Sequence, residues 1–241
     1  PGAGPAAPLD RDSEAGVSVS LTRHLGVRRA LAVVGGCAVL SMVGVLGWGY
    51  VLTTSPRPDN PPHVDAVLVL HSGPDVYDAA VELAARGVTN RMFVSVSGTG
   101  ENHEQLCGTE SQLDPALEGI QIECFSPAPV TTQGEVLYAR QRMSELGLRD
   151  LGVLTFPQHL ERARVLAERC WAPENGSVSM YQFDAERSPL REVEHTVYGT
   201  LAYLKVVATP GCGQELPRAV EAPLDWLKDV RVWLDKRVTG R

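Results

Sequence analysis

Polar and charged residues that could bind an anion or move a proton are grouped at a few places along this chain. The groups are His71-Ser72-Gly73, Ser97-Gly98-Thr99-Gly100, Thr131-Thr132 with Glu135, and Thr155 with Gln158, His159 and Arg162. Histidine and glutamate are common general acids and bases, and arginine offers a planar fork of donors that fits phosphate or carboxylate. We interpret His159 and Glu135 as a candidate acid/base pair. The predicted ligand-binding residues around that pair are Arg162, Ser97, Gly98, Thr132, Gln158 and His71.

Each group also has a structural interpretation, which the sequence leaves open. Thr132-x-x-Glu135 has the pattern of a helix capping box. His159 could be a structural histidine, and Arg162 could belong to a solvated helix face. The segment Ser97–Gly100 could be a simple turn, because it matches neither a dinucleotide-binding glycine motif nor a phosphate-binding P-loop.

The elements that must position these groups follow from the hydrophobic pattern. Buried strands are predicted at 64–70, 91–96, 121–125, 152–156 and 177–183, and helices at 76–84, 132–146, 160–169 and 188–204. Strands that alternate with helices predict right-handed βαβ units and a parallel sheet with helices on both faces. Ligands of such sheets bind at the carboxyl ends of the strands, which is where the polar groups fall.

An apolar stripe near the end of the chain predicts an amphipathic closing helix. Its members are Leu224, Leu227, Val230, Trp233, Leu234 and Val238. Two roles stay open for this helix: packing on the domain, or contact with a membrane surface.

An uncharged apolar run, Ala30 to Leu52, is long enough to cross a bilayer as a helix. Its N-terminal flank carries Arg23, Arg28 and Arg29 and no acid, whereas its C-terminal flank carries one arginine and two aspartates. The positive-inside rule therefore predicts a single-pass plasma-membrane protein with a cytoplasmic N-terminus. The competing interpretations are a cleaved signal peptide, whose apolar region usually spans about 7–15 residues, and a buried helix of a soluble protein.

Composition divides the chain into four parts. Residues 1–28 are rich in Pro, Gly, Ala and Ser and are predicted to be a disordered cytoplasmic tail. Residues 29–53 form the predicted transmembrane helix, 54–63 a semi-rigid Pro-rich spacer that lifts the domain off the membrane, and 64–241 one extracytoplasmic α/β domain. The net charge of −7 argues against a nucleic-acid partner, because nucleic-acid-binding proteins usually carry a basic patch.

The cysteines divide between the apolar run and the domain. Cys37 lies in the run, and the other four are Cys107, Cys124, Cys170 and Cys212. An even number of cysteines on the extracytoplasmic side suits two disulfides. Of the three connectivities we favour Cys107–Cys124 with Cys170–Cys212, because the first would close a polar loop that has few core residues. A zinc site is disfavoured, since there is no C-x-x-C pair and no histidine at metal-ligand spacing.

The order and spacing of the segments resemble the SanA/ElyC/YdcF family. That family has a D-A-[IV]-V-V-L-G strand, a V-x-S-G-G turn, an S-x-[ND]-T-x-x-E segment and a V-T-[ST]-x-x-H-x-x-R-A segment. The matching positions here are Asp65 to Leu70, Ser97-Gly98, Thr132 with Glu135, and Thr155 with His159, Arg162 and Ala163. The resemblance covers roughly residues 64–205, and its most specific piece is T-F-P-Q-H-L-E-R-A-R. His71-Ser72 stands where the family usually has a Gly pair.

The resemblance implies a Rossmann-like three-layer α/β/α domain behind a membrane helix, in a bacterial envelope protein linked to peptidoglycan precursor or lipid-carrier metabolism and to barrier function. The leading hypothesis is a protein that binds, and in its catalytic form hydrolyses or transfers, a phosphate-bearing envelope precursor. The alternatives are a non-catalytic binding module for a nucleotide-like ligand such as S-adenosylmethionine, and a scaffold whose crevice is vestigial. Neither a cofactor, nor a protein partner, nor catalysis itself is decided by the sequence.

Overall fold

The computed structural model describes residues 2, 13–73, 75–96, 104–108, 114–171, 175–184, 189–209 and 211–212. The chain forms two compact units, residues 1–48 and 49–241. The predicted closing helix at 224–238 lies outside the described residues.

The first helix, α1, spans Ser13–Thr54. Its segment Arg29–Thr54 is long and apolar enough to cross a membrane, with a mean hydropathy of 2.2, which suits an anchor or a signal sequence. Residues 13–28, for which composition predicts disorder, are helical. A helix already nucleated by a long apolar segment propagates at little further cost, which accounts for this extension.

A parallel sheet of five strands forms the centre of the domain. The strands are β1 Ala66–Val69, β2 Arg91–Ser95, β3 Gln121–Phe125, β4 Asp150–Thr155 and β5 Ser177–Gln182. All neighbouring pairs are parallel, in the order β3-β2-β1-β4-β5. This order confirms the predicted α/β class with a parallel sheet. It also creates a switch point between β1 and β4, where successive crossovers leave in opposite directions.

Helices cover both faces of the sheet. They are α2 Asp75–Ala85, α3 Glu104–Cys107, α4 Thr132–Leu146, α5 Pro157–Cys170 and α6 Pro189–Ala208, with a short 3₁₀ turn at Pro115–Leu117. Alternate residues of β1 point to opposite faces of the sheet and pack in two separate hydrophobic cores. Leu68 packs in the core that contains residues of α4 and α5, and Val67 packs in the core that contains residues of α2. The helix α5 begins before the predicted position 160, because Pro157 is suited to the first helical turn, where its missing N–H leaves no bond unmade.

Both predicted disulfides are present. Cys107 pairs with Cys124 at a Cα–Cα distance of 5.9 Å, and Cys170 pairs with Cys212 at 5.0 Å. The first bridge fastens α3 to β3, and the second fastens the end of α5 to the segment after α6. Cys37 is a free, exposed thiol.

The Pro-rich segment after α1 does not extend as a free spacer, and that prediction is wrong. The backbone N–H of Asp59 donates to the Met180 carbonyl at 2.9 Å, and the Asp59 carboxylate accepts from the Met180 N–H at 2.8 Å. Asp59 also pairs with Arg164 at 2.7 Å, and the Tyr181 hydroxyl donates to the Pro61 carbonyl at 2.8 Å. The segment covers β5, an edge strand whose open backbone groups need partners.

The last turns of α1 pack on α6. Gly49, Thr53 and Thr200 are all buried. A Cβ added at Gly49 would lie 2.0 Å from the Thr200 Oγ1, and one added at Gly199 would lie 3.4 Å from the Thr53 Cγ2. Residues 49–54 therefore belong to the packed domain, at a crossing so close that only glycine fits.

Candidate functional site

Polar side chains from several elements meet at the carboxyl edge of the sheet, next to the switch point between β1 and β4. We call the buried members the floor of the site: Ser95, Glu135, Thr155 and His159. The half-buried members form its rim: His71, Thr132, Gln158 and Arg162. The predicted residues Ser97 and Gly98 lie outside the described residues.

Glu135 occupies the centre of the floor and is only 5% exposed. Its Oε1 accepts a hydrogen bond from the backbone N–H of His71 at 3.0 Å, which ties α4 to the end of β1. Burial raises the pKa of Glu135, against the opposing effects of the Ser95 hydroxyl, the His71 N–H and the Arg162 charge. The Ser95 hydroxyl lies close enough to this carboxylate to affect its pKa. Its Oγ is buried, and no hydrogen bond of ordinary geometry joins it to a described residue. Glu135 is thus a carboxyl group that is held in place and inclined toward its protonated form.

The capping interpretation of Thr132 and Glu135 is wrong. The N-cap of α4 is Thr131, whose Oγ1 accepts from the Gly134 N–H at 3.2 Å. The third helical position is therefore Gly134, and Glu135 falls one residue too late to complete a capping box. A Cβ at Gly134 would lie 2.0 Å from the Pro129 carbonyl oxygen, so this helix can begin here only with glycine at that position.

His159 bridges two elements through both ring nitrogens. Its Nδ1 lies 2.9 Å from the Thr155 Oγ1 on β4, and its Nε2 lies 3.0 Å from the Thr132 Oγ1 on α4. Burial lowers the pKa of His159 well below its usual range, and the charges of Arg162 and His195 lower it further. The ring is therefore neutral, with one nitrogen donating to a threonine and the other accepting from the second threonine. Any effect of His159 on a ligand passes through the Thr132 hydroxyl.

Arg162 supplies positive charge to the site from the second turn of α5, one turn later than predicted, because α5 begins at Pro157. Its guanidinium carbon lies 5.6 Å from the centroid of the Tyr198 ring, a cation–π arrangement. Its positive charge opposes the effect of burial, which raises the pKa of Glu135, and adds to the effect of burial, which lowers the pKa of His159. The structure thus brings Arg162, Glu135 and His159 together at the carboxyl edge of the sheet, as their positions after predicted strands indicated.

Some members of the site were missed by sequence reasoning. The Tyr77 hydroxyl lies 3.4 Å from the His71 Nδ1, and burial lowers the pKa of His71. On α6, His195 makes an edge contact with Phe156 at 5.6 Å between ring centroids, three residues before Tyr198. The spacing of His195 and Tyr198 places them on one helix face, a signal that could have been used. Within the described ranges, no cluster of His, Cys, Asp and Glu could hold a metal ion.

The arrangement can bind an anion and carry a proton. The N-termini of α4 and α5 lie at the same sheet edge, and the N-cap of α5, Phe156, makes no side-chain capping bond. Helix N-termini favour negative charge because their first N–H groups and the helix dipole point outward. Arg162, the Thr132 hydroxyl and the buried Glu135 add a positive charge, a hydrogen-bonding hydroxyl group and a titratable carboxyl group to this edge. No known protein family, characterised protein or solved structure matches this chain in comparisons of sequence and fold.

Proposed function

We propose that this chain is a membrane-anchored extracytoplasmic protein with a Rossmann-like domain, of the kind represented by the SanA/ElyC/YdcF family. It acts in bacterial envelope biogenesis or barrier function and binds a phosphate-bearing envelope precursor. The observation that carries the proposal is the meeting of Arg162, Glu135 and two helix N-termini at the switch point of a parallel sheet.

Two observations support the location. Disulfides persist in oxidising compartments outside the cytoplasm, and two bridges hold the domain. The end of α1 is packed against α6 through Gly49 and Thr53. Cleavage after the end of α1 would remove the packed residues 49–54 from the domain, so the packing favours a permanent anchor.

In the catalytic form of the proposal, each residue has a defined task. Arg162 and the N-termini of α4 and α5 hold the phosphate oxygens. Glu135 takes a proton from the attacking water or hydroxyl group, since its raised pKa lies closer to neutrality than that of an exposed carboxylate. His159 is a positioning residue that fixes the Thr132 hydroxyl toward the ligand.

A binding module for a nucleotide-like ligand such as S-adenosylmethionine is the second candidate. One observation favours it: both nitrogens of His159 are bonded to threonines, so the ring itself is not placed to exchange a proton with a ligand. A binding module needs the phosphate- or carboxylate-holding groups of the rim but no proton acceptor in the floor.

The test is to identify small molecules that co-purify with the full chain from bacterial membranes, by mass spectrometry, for the native protein and for two arginine variants. Arg162→Lys keeps the charge but loses the planar fork, so a phosphate-bearing ligand should be recovered at least several-fold less. Arg140→Lys, on the exposed side of α4, is the matched control and should retain it. A ligand without an anionic group, or equal recovery from both variants, would refute the proposal.

A further inference from the structure

The helix α6 carries an apolar surface that is exposed among the residues the structure describes. Its members, which we call the α6 stripe, are Val193, Val197, Leu204 and Val207, with exposures of 62%, 43%, 36% and 52%. At 100° per residue these positions fall within an arc of about 80° on one side of the helix. The charged residues of α6, which are Arg191, Glu192, Glu194 and Lys205, all lie about 100° or more from the centre of that arc. The stripe is therefore uncharged along the length of α6.

The stripe is interrupted at its middle by the end of α1. Thr200 falls within the same arc but is only 2% exposed, because it packs on Gly49. Val197 and Leu204 lie about one helical turn on either side of that contact, at about 4.5 and about 6 Å along the axis. The exposed apolar residues of α6 are therefore direct neighbours of the last turns of the candidate membrane span.

The neighbouring residues of α1 indicate what surrounds this crossing. Tyr50 and Val51 follow Gly49 and are 56% and 58% exposed. Both belong to the segment that is apolar enough to span a membrane, and tyrosine is enriched where such helices leave the hydrocarbon. Because α6 contacts the end of α1 at Gly49, the residues flanking Thr200 would lie at the depth of the outer end of the span in a chain that α1 anchors.

We propose that the α6 stripe is a membrane-docking surface that rests in the headgroup and upper acyl region of the bilayer. The occupant is lipid, because the stripe is continuous with the end of the span and has no charged residue to pair with a protein partner. The domain then has two attachments, α1 through the bilayer and α6 along its surface. This inference rests on α1 being an anchor and not on the identity of the ligand.

The test measures the depth of individual positions in the full chain reconstituted into phosphatidylethanolamine–phosphatidylglycerol vesicles. Cys37→Ser removes the free thiol, and single cysteines at the stripe positions then carry a spin label. Leu146→Cys is the matched control, because Leu146 on α4 is 37% exposed, close to the 36% of Leu204. Accessibility to oxygen, which concentrates in lipid, is compared with accessibility to a water-soluble nickel chelate.

Labels on the stripe should show a several-fold higher ratio of oxygen to nickel accessibility than the label at Leu146. Equal ratios would overturn the proposal, since the stripe would then face water. Low accessibility to both reagents would also overturn it, because protein, such as the chain beyond residue 212, would cover the stripe. Spin–spin broadening that disappears on dilution with unlabelled protein would instead assign the stripe to a contact between two copies.

Discussion

At the scale of single residues, one physical effect governs the floor of the site: burial disfavours charge. It raises the pKa of the acid Glu135 and lowers the pKa of the base His159. At Glu135, the positive charge of Arg162 opposes the effect of burial on the pKa, because it favours the carboxylate. At His159, the same charge adds to the effect of burial on the pKa, because it disfavours the imidazolium. Two groups that look like an acid/base pair in the sequence are thus both inclined toward their neutral forms, and only Glu135 is placed to gain or lose a proton near a ligand.

Replacing Glu135 with Gln should change how stability depends on pH. The folded-state pKa of Glu135 is raised above its ordinary value of 4.5, so the folded protein holds this proton more tightly than the unfolded chain. The resulting stabilisation is present below pH 4.5 and is lost as pH rises through the folded-state pKa. Glu135→Gln should therefore gain stability relative to the native protein as pH rises above 4.5. Urea unfolding across a pH series measures the difference.

Glu168→Gln is the control for that series, because Glu168 is exposed on α5. Its stability should follow that of the native protein at every pH. A Glu135→Gln variant that tracks the native protein in the same way would show that Glu135 is not held in a desolvating environment. If Glu135 assists catalysis, the variant should also lose activity toward any ligand identified, while still folding.

The sequence could predict much of the site, because the loops that follow the strands of a parallel sheet all lie at its carboxyl edge, independently of other details of the fold. Glu135, His159 and Arg162 were found in this way. The contacts of His159 with threonines could not be predicted, since they depend on the side-chain directions of two elements. Ser95 was missed because a single serine in an apolar strand has no sequence pattern that marks it as a site residue. Its place in the site depends on its proximity to the Glu135 carboxylate, which the sequence does not show.

At the scale of elements, the crossing of α1 and α6 should be sensitive to the smallest added side chain. Gly49→Ala would place a methyl group 2.0 Å from the Thr200 Oγ1, so the helices must separate or the domain must shift. Overpacking of this kind typically costs about 1–3 kcal/mol of unfolding free energy. Gly47→Ala has open space within 4 Å on the same helix and should change stability by less than about 1 kcal/mol.

Urea unfolding of the detergent-solubilised chain compares these two variants. Thr200→Gly removes the three atoms nearest to the added methyl group, so combining it with Gly49→Ala should recover more stability than the separate effects predict. Purely additive losses would argue that Gly49 and Thr200 are not in contact.

The disulfides should contribute according to the length of chain that each encloses. Cys170–Cys212 spans 42 residues and Cys107–Cys124 spans 17. Loop-closure entropy predicts losses of about 4 and about 3 kcal/mol when each pair is replaced by alanines. Denaturant midpoints of the two double variants provide the comparison, and a larger loss for the shorter loop would contradict the entropic account.

The secondary-structure elements were predictable to different degrees for identifiable reasons. The central strands β1, β2 and β4 are short, largely apolar runs buried in a parallel sheet, which is a strong signal. The segment at 54–63 was misinterpreted because its prolines and polar residues suit a free linker as well as an edge cover. The hydrogen bonds of Asp59 to Met180 and Arg164, and that of the Pro61 carbonyl to Tyr181, reveal that the segment is part of the fold.

At the scale of the whole molecule, orientation follows from the distribution of charge around the apolar segment. The flank before the segment carries Arg23, Arg28 and Arg29 and no acid, the flank after it carries one arginine and two aspartates, and both disulfides follow it. The positive-inside rule and the redox requirement of the bridges agree on the same direction. The two arguments are independent, and both predict a cytoplasmic N-terminus and an extracytoplasmic domain.

A reporter that is active only in the cytoplasm should therefore be silent when fused after Arg241 and active when fused before Pro1. In the same cells, thiol labelling under denaturing, non-reducing conditions should modify Cys37 alone, since the other cysteines are bridged. Reversing the charge of Arg23, Arg28 and Arg29 should weaken the orientation, raise the signal of the C-terminal reporter and expose labelled thiols in the domain. A bright C-terminal reporter in the native chain would place the domain in the cytoplasm, where bridges of this kind are rare, and would overturn both the orientation and the envelope function that depends on it.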